Sequence, residues 1–237
     1  RQACRPGMNR REFLKAAAAA PLLLSLPAGA EELVPWCASG DVSAGKARLA
    51  VGGLGPGDLQ VEWSSGSSGA RAKGSRGVFR TDFTAQATLD DLPANSLINY
   101  CASIGKNQIE GQFRTPPRQL DQPVTFLWGG DVVGQGWGID PAHGGMLTFD
   151  SMAKEEPHFF IHCGDSIYAD DPLPRTIEKR ALSWKNVITP AKSKVAETLA
   201  DFHGNYRYNF IDPHYRRFFS RVPVIAQWDD HEVLNNW

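Results

Sequence analysis

From Glu31 to about Pro117 the chain alternates apolar and polar positions in short stretches: Arg48-Leu49-Ala50-Val51, Leu59-Gln60-Val61-Glu62-Trp63 and Val78-Phe79-Arg80-Thr81-Asp82-Phe83. A period of two between turn clusters marks half-buried strands, and several of them at short spacing predict a β-sandwich. Leu89 to Tyr100 places a turn before an aromatic strand, and the polar, glycine-rich stretch from Gly66 to Gly77 predicts a mobile hairpin tip. Arg114-Thr115-Pro116-Pro117, with Pro123 following, breaks regular structure and reads as a linker.

Beyond the linker the pattern changes to unbroken apolar runs. Val124 to Trp128 leads into Gly129-Gly130-Asp131, His158 to Cys163 into Gly164-Asp165, and Val222 to Trp228 into Asp229-Asp230-His231-Glu232. Such runs suit fully buried strands of a parallel sheet. Helical signals fall between them. Met146, Phe149 and Met152 share a face before Pro157. Thr189-Pro190 supplies an N-cap and first-turn proline, with Val195, Leu199 and Phe202 as the expected buried stripe. Asp212-Pro213 opens a helix burying Tyr215, Phe218 and Phe219. Strand, helix, strand is α/β grammar, and in such sheets ligands gather beyond the carboxyl ends of the strands.

Composition changes this picture little. With 25 basic and 26 acidic residues the formal net charge is −1, so no nucleic-acid surface or attraction to anionic lipid follows. Four scattered cysteines exclude a disulfide-stapled miniprotein and a CxxC zinc module. Cys37 and Cys101 are either bridged or two buried thiols. The N-terminal stretch adds more: Asn9-Arg10-Arg11-Glu12-Phe13-Leu14-Lys15 precedes an apolar run from Ala16 to Leu26 and then Pro27-Ala28-Gly29-Ala30. The run is too short to cross a membrane, which takes roughly 20 residues. Residues 1–30 therefore read as a cleavable export signal of the twin-arginine type, cut after Ala30, which implies the twin-arginine export machinery as a partner and a periplasmic or secreted location. No transmembrane anchor is expected.

The three acidic strand ends converge on one point if the sheet is parallel. Carboxylates packed together repel and raise one another's pKa, and a metal cation removes that conflict. The oxygen and imidazole donors favour hard or borderline ions.

Gly164-Asp165-Ser166-Ile167-Tyr168 and Trp228-Asp229-Asp230-His231-Glu232-Val233-Leu234-Asn235-Asn236-Trp237 resemble motifs of the alkaline phosphatase D (PhoD-like) family of calcineurin-like metallophosphoesterases. The resemblance extends to Gly130 through Gly138 and to Tyr206-Arg207-Tyr208-Asn209. It implies a two-domain α/β protein. An immunoglobulin- or fibronectin-like β-sandwich at 31–117 precedes the N-terminal half of a metallophosphoesterase domain at 124–237. It also implies two metal ions, iron and calcium, with zinc or manganese as alternatives. Asp131 would hold the first ion, Asp165 would bridge both, and Tyr168 would offer a phenolate to the first. Asp230 would stand where the family's usual asparagine binds the second, and His231 would serve the substrate as donor or general acid. Asp229, Glu232 and Asn209 would support these residues, with Tyr206 shaping the pocket. Some relatives carry a cysteine ligand after the first strand where this chain reads Gly-Gly-Asp, which leaves the metal pair open.

The reaction implied is metal-dependent hydrolysis of a small-molecule phosphate ester by in-line attack of an activated water. The alternatives are a phosphodiesterase or phospholipase of the same fold, or a non-enzymatic exported binding module. The stop at Trp237, directly after the most reactive stretch, reads as a truncated and weakly active or inactive fragment. The family's later histidine ligands would lie beyond it.

Overall fold

The computed structural model describes residues 34–119 and 121–237. The expected export signal, residues 1–30, lies outside them. Among the described residues the fold is α/β and largely β-rich.

Seven antiparallel strands form the first part: β1 (Trp36–Gly40), β2 (Ala47–Gly52), β3 (Gly57–Ser65), β4 (Ser68–Gly77), β5 (Ala85–Leu89), β6 (Leu97–Ile104) and β7 (Asn107–Arg114). They make two sheets, ordered β1-β2-β5 and β4-β3-β6-β7. Strict alternation decides their faces. In β6 every second residue is buried (Ile98, Tyr100, Ala102, Ile104), and in β3 Leu59, Val61 and Trp63 do the same. These side chains join Leu49, Val51, Leu89 and Phe113 in one core shared by both sheets. Each leucine, isoleucine, valine or phenylalanine among them contributes about 1.5–3 kcal/mol when withdrawn from water.

Two expectations fail in this part. The predicted strand Val78–Phe83 is a 3-10 turn, Phe79–Thr81, held by Thr81 Oγ1, which donates to the Val78 carbonyl and accepts from the Val78 N–H. Phe79 is 84% exposed, so its apolar side chain found no sheet to pack against. Gly66–Gly77 is no mobile tip but largely strand β4, paired with β3 from Ser65↔Ser68 to Gly57↔Gly77, with only the Gly66 turn (φ 58°) at its end. Backbone pairing compensated for the missing apolar side chains. Of the alternatives left open for Cys37 and Cys101, the bridge between them does not form: Cys37 is a free thiol, fully buried, accepting from Tyr100 Oη at 3.2 Å.

The second part is a parallel sheet of β8 (Phe126–Gly129), β9 (Phe159–His162) and β12 (Val224–Ala226), ordered β12-β9-β8. Helix α1 (Leu147–Lys154) precedes β9. A β10–β11 hairpin (Thr176–Lys179, Leu182–Lys185), which the sequence pattern did not announce, follows it. Then come α2 (Leu199–Asn209) and α3 (Pro213–Phe219). Phe149 of α1 and Tyr215, Phe218 and Phe219 of α3 bury against Phe160 of β9, as their spacing predicted. Asp212 caps α3, accepting from the N–H groups of His214 (2.8 Å) and Tyr215 (3.0 Å).

Helix α2 starts later than expected. Thr189-Pro190 opens only a 3-10 turn (Pro190–Ser193), and Val195 and Leu199 are exposed. The helix is nucleated instead by a reciprocal cap between Thr198 and Asp201. Gly204 lies inside the helix, where a Cβ would overlap Ala191 at 2.5 Å. Close packing there, not termination, explains that glycine.

The two parts meet firmly. Trp36 stacks on Phe210 with ring centroids 4.3 Å apart, the Gln112 N–H donates to the Ser220 carbonyl at 2.9 Å, and Arg207 pairs with Asp82.

Candidate metal centre

Parallel pairing of β8, β9 and β12 sends all three strands out at the same edge, so the segments after Gly129, His162 and Ala226 are neighbours. The first two are laced together. The Asp131 N–H donates to the Gly164 carbonyl (3.3 Å) and the Val132 N–H to the Asp165 carbonyl (2.9 Å). Asp131 (φ 59°) and Asp165 (φ 51°) both adopt left-handed backbone, a conformation that aspartate tolerates better than most residues. Gly164 (φ 106°) makes the turn, and a Cβ on it would lie 2.7 Å from the Asp229 nitrogen. The glycine is therefore required twice over, for its backbone angle and for the close passage of the third loop.

The structure brings the five principal residues together. Single ligand atoms of Asp165, Asp230 and His231 all lie within 4.8 Å of one another, a spacing that one ion can bridge. The Tyr168 hydroxyl donates to Asp131 Oδ1 at 2.8 Å, and the His231 N–H donates to Asp165 Oδ1 at 3.2 Å. The Tyr168 and His231 rings stack with centroids 4.2 Å apart. Gly134 allows this, since any side chain there would overlap the Tyr168 ring.

Electrostatics follow from this crowding. Burial pushes the Asp165 carboxyl above its ordinary value, with the Asp131 charge adding to the effect against hydrogen bonds from His231 and Tyr168. Burial, with Asp131 and Asp165 beside it, drives Tyr168 well above the usual phenol range. Burial pulls His231 down, but the Asp170 hydrogen bond and the charges of Asp170, Asp165 and Asp230 outweigh it and leave the imidazole raised. Burial dominates the first two shifts and neighbouring carboxylates the third, and anionic groups add to all three, a crowding that a cation relieves. Oxygen donors with one imidazole fit a hard or borderline ion.

The supporting residues divide differently from expectation. Glu232 is buried and aims inward at the backbone: it accepts from the N–H groups of Asp165 (3.2 Å), Ser166 (2.5 Å) and Asp229 (3.0 Å). One carboxylate thus ties the second loop to the third. Asn209 donates to the Ser166 carbonyl at 2.7 Å from helix α2. Asp229 joins this network through its backbone, and Asp230 accepts from the Asn236 N–H.

Asp170 escaped the sequence reading. Its carboxylate meets His231 Nδ1 at 2.8 and 3.0 Å and accepts from the Asn235 N–H at 2.8 Å. That engagement makes Nε2 the nitrogen His231 can offer. The doublet Asp170-Asp171, just after Tyr168, was the available signal. Among the other histidines, His143 meets Asp140 (2.9 Å), His214 meets Asp150 (3.5 Å) and His158 meets the Thr125 backbone. His162 is buried under the second loop with Nε2 unpartnered among the described residues.

Comparison with known proteins adds similarities in sequence and fold. Residues 126–237 match the family described as PhoD-like phosphatase. Over 95 residues the chain is 30% identical to alkaline phosphatase D of Bacillus subtilis (strain 168), covering 40% of this chain and 15% of that protein. A solved structure of PhoD superposes with a TM-score of 0.68 at 21% identity, covering 89% of this chain and 42% of that one, which is a likeness of fold. The chain spans less than half the length of either relative. The similarity to PhoD-like phosphatases is thus carried in sequence by residues 126–237 and in fold by most of the chain.

Proposed function

We propose that the protein is an exported, metal-dependent phosphoric ester hydrolase of the alkaline phosphatase D type. The observation that carries the reading is the convergence of Asp165, Asp230 and His231 donor atoms within 4.8 Å at the carboxyl edge of the parallel sheet. Asp131 and Tyr168 would hold one ion, Asp165 would bridge, and Asp230 would hold the second. Iron with calcium is the pair the family resemblance favours, and zinc or manganese is the alternative. When bound, such a pair lowers the pKa of a coordinated water and neutralises charge on the phosphoryl group.

The chain's own groups do the rest. Glu232 fixes the backbone that carries Asp165 and Asp229, so the carboxylates need no reorganisation when substrate arrives. Asp170 holds His231 by Nδ1, leaving Nε2 to donate a hydrogen bond to a phosphate oxygen and a proton to the departing alkoxide. Stacking on Tyr168 keeps the imidazole plane fixed. The twin-arginine pattern at Arg10-Arg11 supports export, and the first-part sandwich serves as a structural or substrate-limiting domain.

The test is hydrolysis of p-nitrophenyl phosphate by the metal-loaded protein, with metal content measured in parallel. Asp165→Asn should lose both bound metal and turnover. Retention of both would rule out the proposed centre. Comparing bis-p-nitrophenyl phosphate in the same assay separates a diesterase from a monoesterase.

A further inference from the structure

A buried lysine lies behind the centre. Lys192 is 2% exposed and sits in the 3-10 turn between the β10–β11 hairpin and α2. Burying an ammonium is costly unless its donors are satisfied. Here Nζ donates to the Tyr168 carbonyl at 2.9 Å and to Asn205 Oδ1 at 3.0 Å. Asn205, 1% exposed on α2, donates in turn to the Asp201 carbonyl at 3.1 Å, so the acceptor is itself held. The Lys192 carbonyl accepts from the Leu173 N–H at 2.8 Å, and the Ala169 carbonyl accepts from the Ala196 N–H at 2.8 Å. The segment from Tyr168 to Leu173 is thereby fastened at its start, through Tyr168 and Ala169, and at its end, through Leu173, to the strap that runs from Lys192 to Ala196. On its other side, the Ala169 N–H donates to the His231 carbonyl at 3.0 Å.

That segment bears Tyr168, aimed at Asp131, and Asp170, aimed at His231. One cation therefore stands behind both groups. We infer that Lys192, clamped by Asn205, is a positioning residue of the phosphatase centre: it fixes the Tyr168–Asp170 segment so that phenol and carboxylate face Asp131 and His231 together. An apolar residue of the same length would leave the Tyr168 carbonyl and Asn205 Oδ1 buried without this donor, and the segment would relax. The role is structural preorganisation, not proton transfer. The inference rests on the phosphatase reading only for its catalytic consequence.

The experiment compares the intact protein with Lys192→Met and, in case that variant folds poorly, with the milder Asn205→Ala. Amide hydrogen exchange is read at Ala169 and Ala196, with Val61 and Ala102 of the β3–β6 pair as an internal reference. Turnover of p-nitrophenyl phosphate is measured on the metal-loaded protein. The expected result is at least tenfold faster exchange at Ala169 and Ala196 with unchanged reference amides. A fall in kcat of at least tenfold with KM within about threefold should accompany it, and Asn205→Ala should show the same pattern to a lesser degree. Combining Lys192→Met with Tyr168→Phe should cost less than the product of the two losses, because both act on one element. Unchanged exchange at Ala169 and Ala196, or opening of the segment with kcat retained, would overturn the inference. If the wild-type protein hydrolyses no ester, the phosphatase reading fails, and the exchange result still decides whether Lys192 holds the segment.

Discussion

At the scale of single residues, Asp170 shows how much rests on a side chain that no motif singles out. By holding His231 Nδ1 it selects the tautomer and the ring direction. Removing a carboxylate that orients a functional imidazole typically costs 10–100-fold. Asp170→Ala is therefore expected to lower turnover by about that factor while thermal melting shifts by only a few degrees, as kinetics and calorimetry on one preparation would show. Cys37 offers a test of the first part. Burial raises its thiol to about 12, against a partly offsetting hydrogen bond from Tyr100. The folded value lies above the unfolded one, so the stability it contributes is whole below about pH 9 and drains away as pH rises toward 12. Denaturant midpoints taken at increasing pH should fall across that window in wild type and less so in Cys37→Ala. Alkylation should reach Cys163, which is partly exposed, before the buried Cys37.

At the scale of elements, the decisive features are tight passages between loops. Gly134 lies against the Tyr168 ring with no space for a methyl group. Gly134→Ala should push the phenol away from Asp131 and depress bound metal, with melting lowered by several degrees. Metal analysis with circular dichroism checks this, and a variant with full metal content would show that the loop yields freely. The same scale explains what patterning read correctly. Alternation in β2 and β3, and the 3.6-residue spacing of Phe149 or Tyr215 and Phe218, were visible because each element buries one face. It also explains the misreadings. Val78–Phe83 alternates but has no sheet beside it, and β4 has scarcely any apolar face yet pairs along its whole length. Hydrogen-bonded pairing depends on what lies alongside, which a local pattern does not contain.

For the whole molecule, the parallel sheet has two unequal faces. Leu127, Phe160 and Val224 pack inward, while Phe126, Trp128 and Ile225, on the other face, are 47%, 74% and 56% exposed. Contiguous apolar surface of this kind promotes association. The described chain should therefore self-associate with rising concentration, and Trp128→Ser with Ile225→Lys should suppress this without altering metal content. Sedimentation velocity decides it, and a wild-type protein that stays monomeric at high concentration would refute the expectation. What the sequence determined by itself was the kind of element and the identity of the acids: apolar runs ending in Gly-Asp and Trp-Asp-Asp-His-Glu specify strands with oxygen donors at their tips. Tertiary structure alone decided which carboxylates face the shared point and which turn back to hold backbone. Glu232 and Asp230 lie two positions apart and carry the same functional group, yet one turns to the backbone and the other to the shared point. Lys192 and Asp170 gained their roles the same way, since the energy of a charge depends on groups distant in sequence that folding brings within a few ångströms.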